Sequence, residues 1–297
     1  MTKIRSSDSS MIDDRRGSGG GGGVLGGLGG GGGFPFPIKA GGGVLGIIVL
    51  LASLLLPKLL GTQGAASVPS PADRSGASTA DTCSSDLEKI VCGATEDVQA
   101  YWGANLPTFY GVTYENTKTV FFTDSTDTGC GQATSQTGPF YCPVDHLVYI
   151  DLSFMQALEQ QLVGTTTDLA EQYIVAHEYG HHIQNLVGIN AQVQKAQQSD
   201  PGRANQYSVA LELQADCFAG MWVGDVASRG QLDSAGEVKE ALNAAAGVGD
   251  DRIQQKTQGR IDKESWTHGS AEQRQTWFTR GYNSGDPKQC DTFSEVL

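Results

Sequence analysis

The sequence predicts an α+β fold dominated by helices, with a small sheet in the N-terminal half of the folded part and one transmembrane helix ahead of it. Three observations carry this. Apolar residues recur at helical spacing through one segment after another beyond residue 168. Short runs rich in Val, Tyr, Phe and Ile between residues 112 and 152 read as strands. Residues 40–57 contain no charged side chain between Lys39 and Lys58.

The 297 residues allow one or two domains. Charge is uneven along them. Residues 1–62 hold six basic side chains (Lys3, Arg5, Arg15, Arg16, Lys39, Lys58) and three acidic ones, whereas the remainder holds 14 basic and 30 acidic. So acidic a C-terminal part argues against nucleic acid as a partner, and against docking on anionic lipid through its own surface.

Taken in order, residues 1–42 read as a disordered, Gly-rich cytoplasmic tail. The glycine tract from Gly17 to Gly33 cannot bury a core, and it lacks the Lys-Ser/Thr that a phosphate-binding loop needs. Residues 43–61 read as the transmembrane helix. The eighteen uncharged residues 40–57 would span about 27 Å as a helix, close to a hydrocarbon core of about 30 Å. A secretory signal peptide is the rival reading, but its n-region would be unusually long and no small-residue cleavage site follows. Basic residues ahead of the span put the N-terminus in the cytoplasm and the rest outside, in a single pass. Residues 62–82, rich in Ser, Ala, Gly, Pro and Asp, read as a flexible linker, and residues 83–297 as the folded domain.

All six cysteines follow the span, and an even number in an exported domain suggests disulfides. Cys130 and Cys142 flank a Gly/Ser/Thr-rich loop, and Cys83 and Cys92 are a second near pair. Cys217 and Cys290 are left, and their bridge would staple the helix around residue 217 to the C-terminus. Zinc ligation by cysteine lacks any C-x-x-C pair. The first folded segment, Ser85 to about Asn105, reads as a helix broken near Gly93. Val112–Phe122 and His146–Leu152 read as strands, with His146 a surface residue.

The next helix carries the chemistry. Asp168 followed by Glu171 is a capping-box-like start, and Leu169, Tyr173, Val175, Ala176, Ile183 and Leu186 supply its apolar positions. Gly188 is its stop. Within it stands His177-Glu178-Tyr179-Gly180-His181, an H-E-x-x-H spacing. Residues four apart on a helix project to nearly one face, so both imidazoles can reach one Zn²⁺. Glu178 lies about 100° round the helix from His177 and about 60° from His181, beside the metal, where a general base belongs. Gly180 costs roughly 1 kcal/mol against Ala, and a small residue there lets another backbone or a substrate approach closely. His182, about 140° from His177, reads as structural.

Glu212 follows His181 by 31 positions, with Asp216 one turn further on the same face. A carboxylate completes a His₂Glu zinc set. Asp216 could accept a hydrogen bond from the free ring nitrogen of a ligand histidine, fixing its tautomer. Residues 191–199, 206–228, 234–246 and 271–283 have helical periodicity, with Gly230 and Ser270 as stop and cap. His268, in the loop before the last helix, is the candidate to stabilise an oxyanion, with Tyr207 second.

The chain resembles a family of bacterial neutral zinc metallopeptidases, membrane-anchored proteins. The stretches that carry the likeness are Asp14-Arg-Arg-Gly17 with its glycine tract, Gly138 to Asp145 with Val148 to Asp151, the H-E-Y-G-H-H segment, Glu212 to Gly220, and His268 to Arg274 with Trp277, Phe278 and Gly281. The resemblance implies a zincin-like catalytic domain, zinc ligation by His177, His181 and Glu212, and Glu178 as the catalytic residue. Residues and resemblance together predict a membrane-anchored zinc peptidase acting on a peptide or protein substrate. The rival is a non-catalytic, zinc-stabilised binding module, which would have no use for the base Glu178.

Overall fold

The computed structural model describes residues 2–17, 82–158 and 168–294. The expected span at 43–61, and all but the last residue of the expected linker, lie outside them. Among the described residues no helix is long and apolar enough to cross a membrane.

The architecture is α+β and mostly helical, as expected. Helix α1 (Asp86–Tyr110) starts at a full capping box: the Glu88 N–H donates to Ser85 Oγ and the Ser85 N–H donates to Glu88 Oε2. It ends where Gly111 turns left-handed. The break expected at Gly93 does not occur, and the helix runs straight through it.

The first strand of the chain, β1 (Ile12–Asp14), precedes this helix, and the other strands follow it: β2 (Thr119–Phe122), β3 (Ser125–Thr128), β4 (Gly131–Thr134), β5 (Phe140–Cys142) and β6 (Leu147–Asp151). Four of them form one sheet in the order β1-β2-β6-β5. The first three run parallel, and β5 is antiparallel to β6. β3 and β4 make a separate hairpin. Strands β2 and β6 are buried on both faces. Phe121, Val148 and Ile150 enter the main core, while Val120, Phe122 and Tyr149 form a smaller cluster on the other side. That is why these strands read as unbroken apolar runs rather than alternating ones. The expected strand from Val112 is shorter, because pairing starts only at Thr119. Upstream, the Thr117 N–H turns to Gln99 Oε1 of α1 instead.

The expected free tail needs correction. Residues 2–17 are docked on the domain, and Ile12–Asp14 pair in register with Thr119–Phe121. Ile4 and Ile12 are both buried in the main core. The glycine tract after residue 17 masked this in the sequence, since three residues of strand give no periodicity to read.

After β6 the chain is helical: α2 (Leu152–Leu158), α3 (Asp168–Leu186), α4 (Ile189–Ser199), α5 (Ala204–Ser228), α6 (Ala235–Gly247), α7 (Asp250–Gln258) and α8 (Ala271–Ser284). α5 is apolar nearly all round from Leu213 to Val223, as befits a central helix. Its Phe218 packs edge-on to Trp102 of α1, and Tyr173 of α3 packs edge-on to Phe278 of α8. The disulfides are Cys83–Cys92, Cys130–Cys142 and Cys217–Cys290, the last tying α5 to the segment after α8.

Candidate metal centre

Helices α3 and α5 approach closely at one point, and the sequence shows why. A Cβ on Gly180 would stand 3.0 Å from Ala215 Cα and 3.1 Å from its carbonyl oxygen. Glycine there lets the two backbones meet, so side chains within a turn of Gly180 and Ala215 face each other. Those side chains are His177 and His181 on α3, and Glu212 and Asp216 on α5.

One ligand atom from each of His177, His181 and Glu212 lies within 4.8 Å of the others. His177 Nε2 is 3.1 Å from Glu212 Oε2, and His181 Nε2 is 3.4 Å from Glu212 Oε1. The outer ring nitrogens are engaged. His177 Nδ1–H donates to Asp216 Oδ1 at 2.9 Å, and His181 Nδ1–H donates to Gln184 Oε1 at 2.8 Å. Those bonds leave both Nε2 atoms facing the Glu212 carboxylate, a converging set. Two imidazole nitrogens and one carboxylate are a donor set that suits Zn²⁺. The electrostatics point the same way. Burial pushes the His177 ring down, but its bonds to Asp216 and Glu212 outweigh this and raise it to about 10. Burial likewise pushes Glu212 up, yet His181 and His177 hold it well below the ordinary carboxylate range. The pocket favours positive charge.

Asp216 is held on more sides than its expected role requires. Besides His177 it accepts from Arg274 Nε at 2.7 Å and Nη2 at 2.9 Å, and from the Tyr173 hydroxyl. Arg274 is 2% exposed and Asp216 fully buried, so each needs the other. On the opposite side, Gln184 Nε2 donates to the Leu211 carbonyl and to Gln214 Oε1, fixing the acceptor that orients His181. Each histidine is thus aimed by a partner that is itself held.

Glu178 is buried beside this set. Burial raises its carboxyl above the usual range, against the pull of His177 and His181. His182 points away: its Nε2–H donates to the Glu115 carbonyl at 2.7 Å, and Nδ1 accepts from the Tyr141 hydroxyl at 3.1 Å. Burial lowers it to about 4, so it is a neutral tie between α3 and β5. His268 is buried in its loop. Its Nδ1–H donates to Asp250 Oδ1 at 3.0 Å, and Asp250 Oδ2 accepts the backbone N–H of Thr267, His268 and Gly269. Gly269 lies against Val209 and Leu213, the latter next to Glu212 in α5. No hydrogen bond or ion pair joins His268 to the three candidate ligands. Tyr207 is buried, with Arg203 over its ring.

Sequence reasoning missed Tyr173, Gln184, Asp250 and Arg274. Two of these carried a signal. Gln184 sits three residues after His181, on the same helix face. Arg274 shares a face with Trp277, Phe278 and Gly281, so it is an arginine on the buried stripe of α8. Nothing around Asp250 marked it.

The chain has relatives among known proteins. The chain is 42% identical over 265 residues to the uncharacterized protein YpfJ of Escherichia coli K12, covering 89% of this chain and 90% of that protein. It is 48% identical over 214 residues to an uncharacterized protein of Mycobacterium tuberculosis, covering 69% of this chain and 70% of that one. No solved structure matches it. A family model described as "putative neutral zinc metallopeptidase" matches residues 1–293, which include every residue of the centre, and the chain belongs to that family.

Proposed function

We propose that the protein is a zinc-dependent peptidase with a zincin-like active site, hydrolysing peptide bonds with Glu178 as general base. The observation that carries this is the convergence of His177, His181 and Glu212, their outer atoms already anchored, with a buried carboxylate beside them. A zinc ion held by those three side chains would supply a Lewis acid and acidify a water molecule toward neutral pH. Glu178 would take the proton of the attacking water and hand it to the leaving amine, a task suited by a carboxyl whose affinity for protons burial has raised. His268 would stabilise the developing oxyanion, its ring oriented by the bond from Nδ1 to Asp250.

A peptide fits the surroundings. Strand β5 is the edge of the sheet on the side of α3, tied to it where Asn185 Nδ2 and His182 meet the Tyr141 hydroxyl. An extended substrate could add to that edge as a further strand. Attachment to a membrane through residues 43–61 belongs to this proposal on the composition of that stretch alone.

The test is to incubate the full chain with a mixture of unrelated peptides, with and without a zinc chelator. Cleavage that stops on chelation and returns with added zinc supports the reading. Unfolding on chelation, with no cleavage before it, would instead mark a structural metal site.

A further inference from the structure

Residues 2–16 dock on three elements of the domain. Thr2 Oγ1 donates to Gln172 Oε1 at 2.9 Å, and Gln172 Nε2 returns a bond to the Ile4 carbonyl at 2.7 Å. Gln172 is fully buried and lies on the zinc-ligand helix α3. Arg5 pairs at 2.7 Å with Asp168, the first residue of that helix. Ser6 N–H donates to the Lys89 carbonyl of α1, and Ile12–Asp14 add a parallel strand to β2. Arg16 bridges Asp14 and Glu88, the residue that also caps α1.

The domain is shaped to receive this segment. A Cβ on Gly93 would stand 2.7 Å from Arg5 Cα and 2.8 Å from Arg5 N. A glycine inside a helix costs about 1 kcal/mol against Ala, and what it permits here is the passage of the N-terminal backbone. The helix break expected at this glycine is, in the folded chain, a contact. Lys3, Arg5, Arg15 and Arg16, read from the sequence as charges that orient a span, are engaged with Gly230 O, Asp168, Asp13, Asp14 and Glu88.

We infer that residues 2–16 and the metallopeptidase domain lie on the same side of any membrane the chain meets, so residues 18–81 do not carry it across once. A single crossing would put the segment and its binding groove on opposite sides. The uncharged stretch 40–57, about 27 Å long if helical, suffices for one crossing of a core of about 30 Å and not for two. Its contact with a bilayer is therefore made from one side. Three disulfides place that side in an oxidising compartment. This replaces the orientation expected from the sequence, with the N-terminus inside and the domain outside.

The test uses the full chain with one epitope inserted in the glycine tract between residues 19 and 33 and a second after Leu297, expressed in a bacterium. Protease is added to sealed spheroplasts, with a cytoplasmic marker as control. The expected result is loss of both epitopes together while the marker survives. Loss of the C-terminal epitope with the first protected overturns the inference, as does the converse. A second measurement checks the docking that the inference rests on. In detergent, trypsin should leave Arg15 and Arg16 uncut in the wild type and cleave there in Gly93→Val, whose side chain meets the Arg5 backbone. If Gly93→Val fails to fold by near-UV circular dichroism, the milder Arg16→Ala takes its place. Rapid cleavage at these arginines in the folded wild type would overturn the inference. None of these readouts depends on peptidase activity, so they stand or fall apart from the proposed function.

Discussion

Replacing Asp216 with Asn separates two jobs that one carboxylate performs. It accepts the His177 Nδ1–H at 2.9 Å, and it neutralises Arg274, which donates to it at 2.7 and 2.9 Å. Weakening the first interaction should lower zinc affinity about 10–100-fold, the usual effect of removing the partner that orients a ligand histidine. That equals about 1.4–2.7 kcal/mol. Weakening the second leaves a guanidinium that is 2% exposed without its counter-ion, at a cost of about 3–5 kcal/mol in folding stability. The stability loss is the larger, so Asp216→Asn alone would confound the two. The double variant Asp216→Asn/Arg274→Met removes the unpaired charge and should recover much of the stability, while zinc affinity stays low. The assay is zinc competition against a chromophoric chelator, paired with denaturant unfolding of the metal-free protein, for all three chains. Wild-type zinc affinity in Asp216→Asn would refute the reasoning, and so would recovery of affinity along with stability in the double variant.

Three further outcomes are expected. Glu212→Ala should lose tight zinc binding in the same competition assay, and affinity equal to wild type would put the third ligand elsewhere. His268→Ala should lower kcat by about 10²-fold, the low end for loss of one oxyanion donor, with KM little changed; an unchanged kcat would remove His268 from the mechanism. The Glu88 carboxyl is raised by burial but drawn down to about 2, below its ordinary 4.5, by the Ser85 and Ser84 N–H groups and Arg16. A carboxyl depressed in the folded state stabilises the protein above pH 4.5, and that stability is lost as pH falls toward 2. Unfolding of wild type and Glu88→Gln, followed against pH, should therefore converge across that window; a gap that stays constant would show that Glu88 is not held this way.

Helix α3 was readable because its apolar stripe and its H-E-x-x-H spacing coincide, while the Asp168 carboxylate expected to cap it pairs with Arg5. Glu212 and Asp216 were readable from their spacing, two carboxylates one turn apart downstream of the H-E-x-x-H helix. The partners that hold the ligands were harder to see. Arg274 lies 58 positions from Asp216, and sequence periodicity reports which face a residue occupies, not what faces it across the core. The N-terminal strand was misread because composition spoke for the whole of residues 1–42. Its anchoring depends on single residues such as Arg5 and Arg16, whose distant partners Asp168 and Glu88 lie 163 and 72 positions away. The helix α7 was missed as well, since nine mostly polar residues offer no apolar stripe.

The proposal that Glu178 is the base beside a zinc held by His177, His181 and Glu212 is tested most directly by one paired measurement on Glu178→Gln: metal content by elemental analysis and peptide turnover on the same preparation. The predicted result is about one zinc per chain, as in wild type, with turnover lower by at least about 10²-fold, the low end for loss of a general base. Wild-type turnover in the variant would contradict it, as would loss of the zinc together with the activity, since that would make Glu178 a ligand rather than a base.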